Sequence, residues 1–156
     1  MSTENLSAAK GTTLEIGSPA VAIAHLKNIE SPNQTKETIE VTALDSDGNY
    51  REYIPGYRDG GEISVTGYFD FKDAGQKAVR EAYDAEEAFD FVIRYPARIG
   101  AEWRFKGIVT GYRIVSEEGD AITIEITIKI SGKPVLVASS GGLQVGGNGG
   151  GIDNQM

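Results

Sequence analysis

The sequence predicts a mainly β fold, in which antiparallel strands form a sandwich or barrel and one α-helix flanks them. Two observations predict the strands: isoleucine occupies every second position from 122 to 130, and residues 62–71 alternate between apolar and polar in the same way. A repeat of two is typical of a strand with one buried face. A third observation predicts the helix, because small apolar residues recur at helical spacing over residues 73–84.

The bulk composition is that of a single soluble domain. The chain has 156 residues, a formal net charge of −8 and no cysteine. Disulfides, thiol catalysis and cysteine-bound metals are therefore excluded, and a reducing compartment fits the sequence. The N-terminus has no apolar stretch of signal-peptide length. An acidic surface also repels nucleic acid at long range, which disfavours a DNA- or RNA-binding protein.

The first elements are short. We expect residues 1–10 to be a flexible N-terminal arm and the folded domain to span residues 11–138. Thr12–Ile16 alternates like a strand and ends at Gly17, and residues 20–26 form a second extended segment. Residues 28–37 are rich in turn-forming residues and predict a connection.

A long hairpin is predicted next. Residues 38–44 and 62–71 both alternate, so they are interpreted as its two strands. Between them, residues 45–61 form an oversized tip that is rich in glycine, tyrosine and charge. A loop of this length without periodicity is unusual inside a compact domain and is usually functional.

The helix has a recognisable start. Asp73 is a suitable N-cap, and Gln76 stands three residues later, as in a capping box. We expect the helix to end near Tyr83 or Asp84. Its apolar stripe is narrow and consists of Ala74, Ala78, Val79, Ala82 and Tyr83.

Two more elements close the domain. Residues 89–96 predict a strand that ends at Pro96, and residues 102–130 predict a second long hairpin that turns at residues 116–120. After Ala138 the composition becomes glycine-rich, so residues 139–156 are expected to be a flexible C-terminal tail.

The sequence offers few candidates for a catalytic, metal-binding or phosphate-binding site. His25 is the single histidine and lacks the oriented partners that a general base needs. Residues 45–49 resemble the start of a calcium loop, but the glycine and glutamate that such a loop requires are missing. Residues 146–151 lack the lysine and serine of a phosphate-binding loop. We therefore expect a protein that is not an enzyme and has no catalytic, metal or cofactor-binding residues.

Three stretches together resemble the phage tail tube proteins, the major tail proteins of long-tailed phages. They are "IEVTALDSDGNYREYIPGYRDGGEISVTGYFDF", "WRFKGIVTGYRI" and "ITIEITIKISGKPVLV". The resemblance covers about residues 11–138. It implies a β-sandwich with a flanking helix (the tail-tube fold) that assembles into hexameric rings. These rings stack into the tail tube, a structural part of the virion through which DNA is ejected.

The resemblance also implies partners and a location. The main partner is the chain itself, and tape-measure, tail-tip and tail-terminator proteins are further partners. DNA passes through without specific binding, and no membrane is involved. The protein would assemble in the host bacterial cytoplasm and reside in the virion tail. The alternatives are an inner-tube protein of a contractile secretion or injection system and a monomeric ligand-binding β-barrel.

The polar strand faces have two interpretations. By pattern alone they are the water-exposed side of an antiparallel sheet. The resemblance favours a second interpretation, in which they line the lumen of the tube and make an anionic ring along which DNA slides. The lumen-facing candidates are Glu40, Thr42, Ser64, Thr66, Thr123, Glu125, Thr127 and Lys129.

The tip at 45–61 also has two interpretations, a mobile surface loop or an inter-ring contact. The family's corresponding long loop reaches toward the adjacent ring, and aromatic and arginine side chains are typical interface anchors. The inter-ring candidates are Asp47, Tyr50, Arg51, Tyr53, Ile54, Tyr57 and Arg58.

Overall fold

The computed structural model of the protein describes residues 10–139. The predicted N-terminal arm (1–10) and C-terminal tail (139–156) therefore lie almost wholly outside the described residues. The elements are β1 (Thr13–Ile16), β2 (Val21–Ala22), β3 (Leu26–Ile29), β4 (Thr35–Glu40), β5 (Tyr53–Asp59), β6 (Glu62–Tyr68), α1 (Ala74–Asp84), β7 (Phe89–Arg94), β8 (Ala101–Val115) and β9 (Thr123–Ala138).

Seven strands form one curled antiparallel sheet, in the order β2-β1-β7-β8-β9-β6-β3. The strands β4 and β5 form a separate two-stranded sheet. The long β8–β9 ribbon is the centre of the large sheet, because β7 pairs with the first half of β8 and β6 pairs with the first half of β9. The predicted mainly β fold with one helix is confirmed, and so is the hairpin that turns at 116–120.

One face of this sheet forms the core. Ile124, Ile126, Ile128 and Ile130 are buried, while the residues between them are partly exposed. In β6 the same alternation buries Ile63 and Val65. The repeat of two therefore identifies the buried face correctly, and α1 covers that face through Val79 and Ala82.

The helix begins as predicted. The Asp73 carboxylate accepts a hydrogen bond from the backbone N–H of Gln76 at 2.9 Å, so Asp73 is the N-cap. The second half of the predicted capping box is absent. The buried Gln76 side chain instead donates to the carbonyls of Tyr68 and Ala24, at 2.8 and 3.3 Å, and accepts from the N–H of Asp70 at 3.0 Å. Gln76 therefore ties the helix start to the end of β6.

The predicted hairpin of 38–44 with 62–71 is wrong. β4 pairs with β5, which lies inside the segment that was predicted to be a loop, while β6 pairs with β9 and β3. Alternation shows that a segment is extended but carries no information about its partner. The residues between the two sheets are Gly60 and Gly61, and Gly61 has a φ of +85° that favours glycine.

Smaller predictions also fail at the ends of elements. The alternation over residues 62–71 predicts that Phe71 shares the face of Ile63 and Val65, but β6 ends at Tyr68 and Phe71 is exposed, with the Arg80 guanidinium 4.8 Å from its ring centre. Ala74 and Tyr83 lie at the edge of the helical stripe and are exposed, although the Tyr83 ring packs edge-on against Tyr112. Each miss occurs where an element extends past the core.

We expect Ile126→Ala to lower the free energy of unfolding by about 2–5 kcal/mol, because it leaves a cavity under the sheet. Ile126 is fully buried, whereas Ile122, at the start of the same repeat, is 47% exposed. Ile122→Ala is therefore the matched control and should cost well under half as much. Urea denaturation of both variants measures the difference, and equal losses would contradict this assignment of the core.

Candidate functional site: the wall face and the arm

The first candidate surface is the polar face of the large sheet, opposite the core, which we call the wall face. Directly opposed pairs across β6 and β9 build it: Ser64 with Thr127, Thr66 with Glu125, and Glu62 with Lys129. Six of the eight predicted lumen residues thus share one face: Ser64, Thr66, Thr123, Glu125, Thr127 and Lys129.

Glu40 and Thr42 do not belong to this face. Glu40 ends β4 opposite Tyr53, and the Thr42 hydroxyl accepts a hydrogen bond from the N–H of Glu52 at 2.9 Å. Glu40 therefore lies in the small sheet and Thr42 just beyond its end, because the hairpin that placed them beside Ser64 and Thr66 is not formed. Their assignment to the wall depended on that hairpin.

Charges on the wall face are paired with one another. Arg113 of β8 donates to Glu125 at 2.9 Å, and this hydrogen bond raises the pKa of Arg113 further above its ordinary value. Lys129 lies 3.4 Å from Asp59. The wall face is therefore close to neutral, and the net negative charge of the chain resides elsewhere. The wall face therefore carries charges of both signs, and the net charge of the chain does not show where the charges lie.

The same side of the sheet is more densely charged around the first half of β8. Glu102 has a fully buried carboxylate, which lies between Arg94, at 2.7 Å, and Arg104. Arg94 also contacts Glu15, and its hydrogen bond to Glu15 raises the pKa of Arg94 further above its ordinary value. Because the buried charge is paired on both sides, the network joins β1, β7 and β8 without an uncompensated ion.

Two unpaired strand edges flank the wall face, one in the second half of β8 and one on the outer side of β3. The wall consists of four strands in the order β3-β6-β9-β8. β7 pairs with β8 only as far as Gly107, so residues 108–115 have no strand partner on that side within residues 10–139. On the other side of the wall, the outer edge of β3 is also unpaired in the described part of the chain. Exposed edges of this kind can pair with another chain.

The second candidate surface is the hairpin Thr35–Asp59, which we call the arm. It extends from the domain as a separate two-stranded sheet. All residues of β4, and all of β5 except one, are exposed. An isolated two-stranded hairpin with exposed apolar side chains is marginal in water, so the arm needs another surface for stability.

The predicted inter-ring residues all lie on this arm. Tyr53, Ile54, Tyr57 and Arg58 belong to β5, and Ile54 opposes Ile39 of β4, with about half of each side chain exposed. The remaining candidates occupy the loop between the strands: Asp47 and Tyr50 at a tight turn, and Arg51, which lies 3.9 Å from Glu40.

Asp59, Gly60 and Gly61 form the joint between the arm and the sheet. The Asp59 carboxylate accepts a hydrogen bond from the N–H of Gly61 at 2.7 Å and faces Lys129, and these contacts lower its pKa. A Cβ on Gly60 would lie 2.5 Å from Ile130, and one on Gly61 would lie 2.4 Å from the carbonyl of Asn33. The joint is therefore tightly packed and sets the direction in which the arm leaves the domain.

The other candidate sites show little evidence of catalysis or ligand binding. His25 lies 3.3 Å from Asp70 with both side chains largely exposed, which describes a surface pair. Residues 10–139 contain no group of three or more acidic or histidine side chains arranged for a metal ion. Within the same residues, no helix has the length and apolar character needed to cross a membrane.

A curled sheet with a polar wall, two open edges and an exposed arm defines a structural protein built to assemble with copies of itself. Comparison with family models identifies which one: residues 12–137 match the model described as "Lambda phage tail tube protein, TTP". The chain therefore belongs to the lambda phage tail tube protein family, and it is a structural component of a tail. A search of curated proteins finds no match.

Solved structures of tails share the fold. A chain in the virion of a native gene transfer agent particle aligns with a TM-score of 0.72 at 20% identity, covering 85% of this chain and 99% of that chain. A chain in the baseplate of the anti-feeding prophage gives 0.67 at 8% identity, with coverages of 88% and 98%. The SPP1 tail tube gives 0.60 at 16% identity, with coverages of 82% and 77%. At these identities the likeness shows the fold.

We expect Asp59→Asn to destabilise the arm at neutral pH and to have no effect in strong acid. The folded-state pKa of Asp59 lies below the unfolded value near 3.8, so its stabilisation is present above that value and lost as the pH falls through the folded pKa. Hydrogen exchange of the arm amides in both proteins, measured from pH 7 to pH 2, checks this.

Lys129→Met is the matched control for the Asp59 prediction. Because the bond from Gly61 is the larger cause of the lowered pKa, Lys129→Met should reproduce only part of the Asp59→Asn effect. A difference between Asp59→Asn and the parent protein that persists unchanged at pH 2 would show that the carboxylate charge is not what holds the joint.

Proposed function

We propose that the protein forms hexameric rings that stack into a tail tube and that the wall face lines the lumen. The observation that carries this proposal is the four-stranded wall, which is apolar on its core side and mostly polar on the other, where Ile108 and Val115 of β8 are the apolar exceptions in the paired register. A polar sheet face with paired charges suits a channel through which DNA moves, because phosphates adhere to uncompensated cations. The protein acts as a structural conduit and not as an enzyme.

Hydrogen bonding between the strand edges of neighbouring copies would close the ring. Because neighbours in the order β3-β6-β9-β8 are antiparallel, the β8 edge of one copy runs antiparallel to the β3 edge of the next. Six copies would give about 24 strands, a circumference of roughly 115 Å and a diameter near 37 Å before tilt. A duplex fits within this diameter after side chains are added. Closure removes the exposed edges.

The arm supplies the contact between rings. Its aromatic residues and arginines, Tyr50, Tyr53, Tyr57, Arg51 and Arg58, are exposed and have the chemistry of interface anchors. Ordering the arm against a second copy costs conformational entropy. This cost would favour growth on an existing ring over spontaneous assembly in solution.

The further partners and the location follow from this role. Tape-measure, tail-tip and tail-terminator proteins would bind the lumen and the two ends of the tube, and assembly would occur in the bacterial cytoplasm before the tail joins the virion. The likeness to a chain in the sheath–tube complex of an extracellular contractile injection system, at a TM-score of 0.65 and 16% identity, supports a second candidate role as the inner tube of a contractile particle.

A monomeric ligand-binding barrel is disfavoured by the interior of the fold. Apolar side chains and α1 fill the core side of the sheet. The buried polar Gln76 uses its amide for three hydrogen bonds to backbone groups, so it has little capacity left for a ligand.

Single-cysteine variants test the lumen assignment, since the chain has no cysteine of its own. In assembled tubes, Thr127→Cys should react with a small maleimide but not with a maleimide carried on a globular protein too wide for the channel. Lys77→Cys, which lies on the exposed side of α1, is the control and should react with both. Modification of Thr127→Cys by the wide reagent along the tube would place the wall face outside.

Replacement of residues 36–58 by Asn-Gly, a two-residue turn between the paired Thr35 and Asp59, tests the arm. Because the arm is a separate sheet, we expect the shortened protein to fold, to form rings and to fail to stack. Circular dichroism and negative-stain microscopy of seeded samples measure this. Loss of the fold would make the arm part of the core, and tubes of normal length would remove its role between rings.

A further inference from the structure

A groove of about 660 Å³ opens where the first halves of β7 and β8, the middle of β9 and the turn after β1 meet. Phe91 and Phe105 lie behind the groove but are buried in the core, with 1% and 5% of their surface exposed, so charged side chains provide most of its accessible chemistry. A cleft of this size is large enough for several side chains of a partner. The charged lining residues are Asp90, Arg104, Lys106 and Lys133.

This groove is net positive. Lys106 lies 2.9 Å from Asp90, and Arg104 pairs with the buried Glu102 behind it. Lys133 is exposed and has no ion pair within residues 10–139. With Glu102 included, three cations stand against two carboxylates, in a chain whose overall charge is −8. A cationic groove on an acidic protein fits an acidic partner segment.

The groove adjoins the base of the arm. A second cleft of about 360 Å³ shares Gly132 and Lys133 with it and is lined by Arg58 and Asp59. The tip of the same arm lies at the far end of the hairpin, so a molecule cannot fill its groove with its own tip. The occupant has to come from another copy or another protein.

The arm tip carries acidic side chains, which are opposite in charge to the cationic groove. It carries the carboxylates of Asp45 and Asp47, and next to them Leu44 and Tyr50, which are among the most exposed apolar side chains in the described residues. The carboxylates are opposite in charge to Lys133, the lining cation that has no ion pair within residues 10–139.

We propose that the groove receives the arm tip of a copy in the adjacent ring. This inference rests on the proposed function, because it requires stacked rings. The β5 strand of the arm, Tyr53–Asp59, spans about 20 Å at the rise of a strand, and the loop of residues 41–52 lies beyond its end. Since each tip docks beside the base of the next arm, the contact is head-to-tail and repeats without closing, as a growing tube requires. The ring spacing then follows from the arm length.

A crosslinking experiment tests the contact directly. In tubes of the double variant Asp47→Cys/Lys133→Cys, a short bismaleimide should join tip to groove and give a ladder of covalent multimers that continues beyond six chains. The matched control, Asp47→Cys/Lys77→Cys, places the second cysteine on the exposed side of α1 and should give no ladder.

Each other outcome has a definite meaning. A ladder that stops at six would place the contact within a ring and overturn the proposal, as would equal crosslinking in the control or tubes without crosslinks. If the parent protein forms no rings or tubes when seeded, the proposed function fails instead.

Charge exchange provides a test that needs no crosslinker. Lys133→Glu and Asp47→Lys should each reduce tube growth at least tenfold while leaving rings intact, and the double variant should recover most of the growth. Recovery is expected because the exchanged charges restore the pair at the contact. Growth of both single variants at the parent rate would overturn the proposal.

Discussion

The unpaired backbone edge of β8 is the constraint on which the rest of the structure depends. Residues 108–115 present N–H and C=O groups that have a partner on the β9 side alone, within the part of the chain that is described. A long exposed edge is a hazard in a monomer. The same sheet ends on its other side at β3, whose outer edge is short and runs in the complementary direction. A single copy therefore leaves two strand edges unpaired within the described residues, and the proposed ring would pair each of them with an edge of a neighbouring copy.

The two faces of the wall have different roles. The isoleucine face of β9 stabilises each copy by hydrophobic burial, with α1 as its cover. The opposite face carries hydroxyls and charges that pair among themselves, such as Arg113 with Glu125. In the proposed tube these paired ions would leave few cations to which the phosphates of a duplex could bind. Passage of DNA would then depend on the local pairing of charges and not on the total charge of the chain.

The sequence predicts most of the sheet and little of the arm. In β9 and β6 the alternation identifies both the buried and the polar residues, because a strict repeat of two in a half-buried strand leaves one choice of face. The arm was missed since its strands have no core side: β4 is exposed throughout, so its residues give no burial pattern that fixes a partner. Asp59-Gly60-Gly61 did signal a break, and the packing of Gly60 against Ile130 shows why the glycines are needed. The charge pairs of the wall could not be foreseen, because Asp59 and Lys129 are distant in sequence and meet through the fold.

The most direct test is a helical cryo-electron microscopy reconstruction of tubes grown from the purified protein. We expect a continuous inner barrel in which each copy contributes β3, β6, β9 and β8, with hydrogen bonds from residues 108–115 to β3 of the neighbour and with Thr127 facing the lumen. A tube whose inner surface is made by other strands, or in which residues 108–115 contact no neighbouring strand, would contradict it.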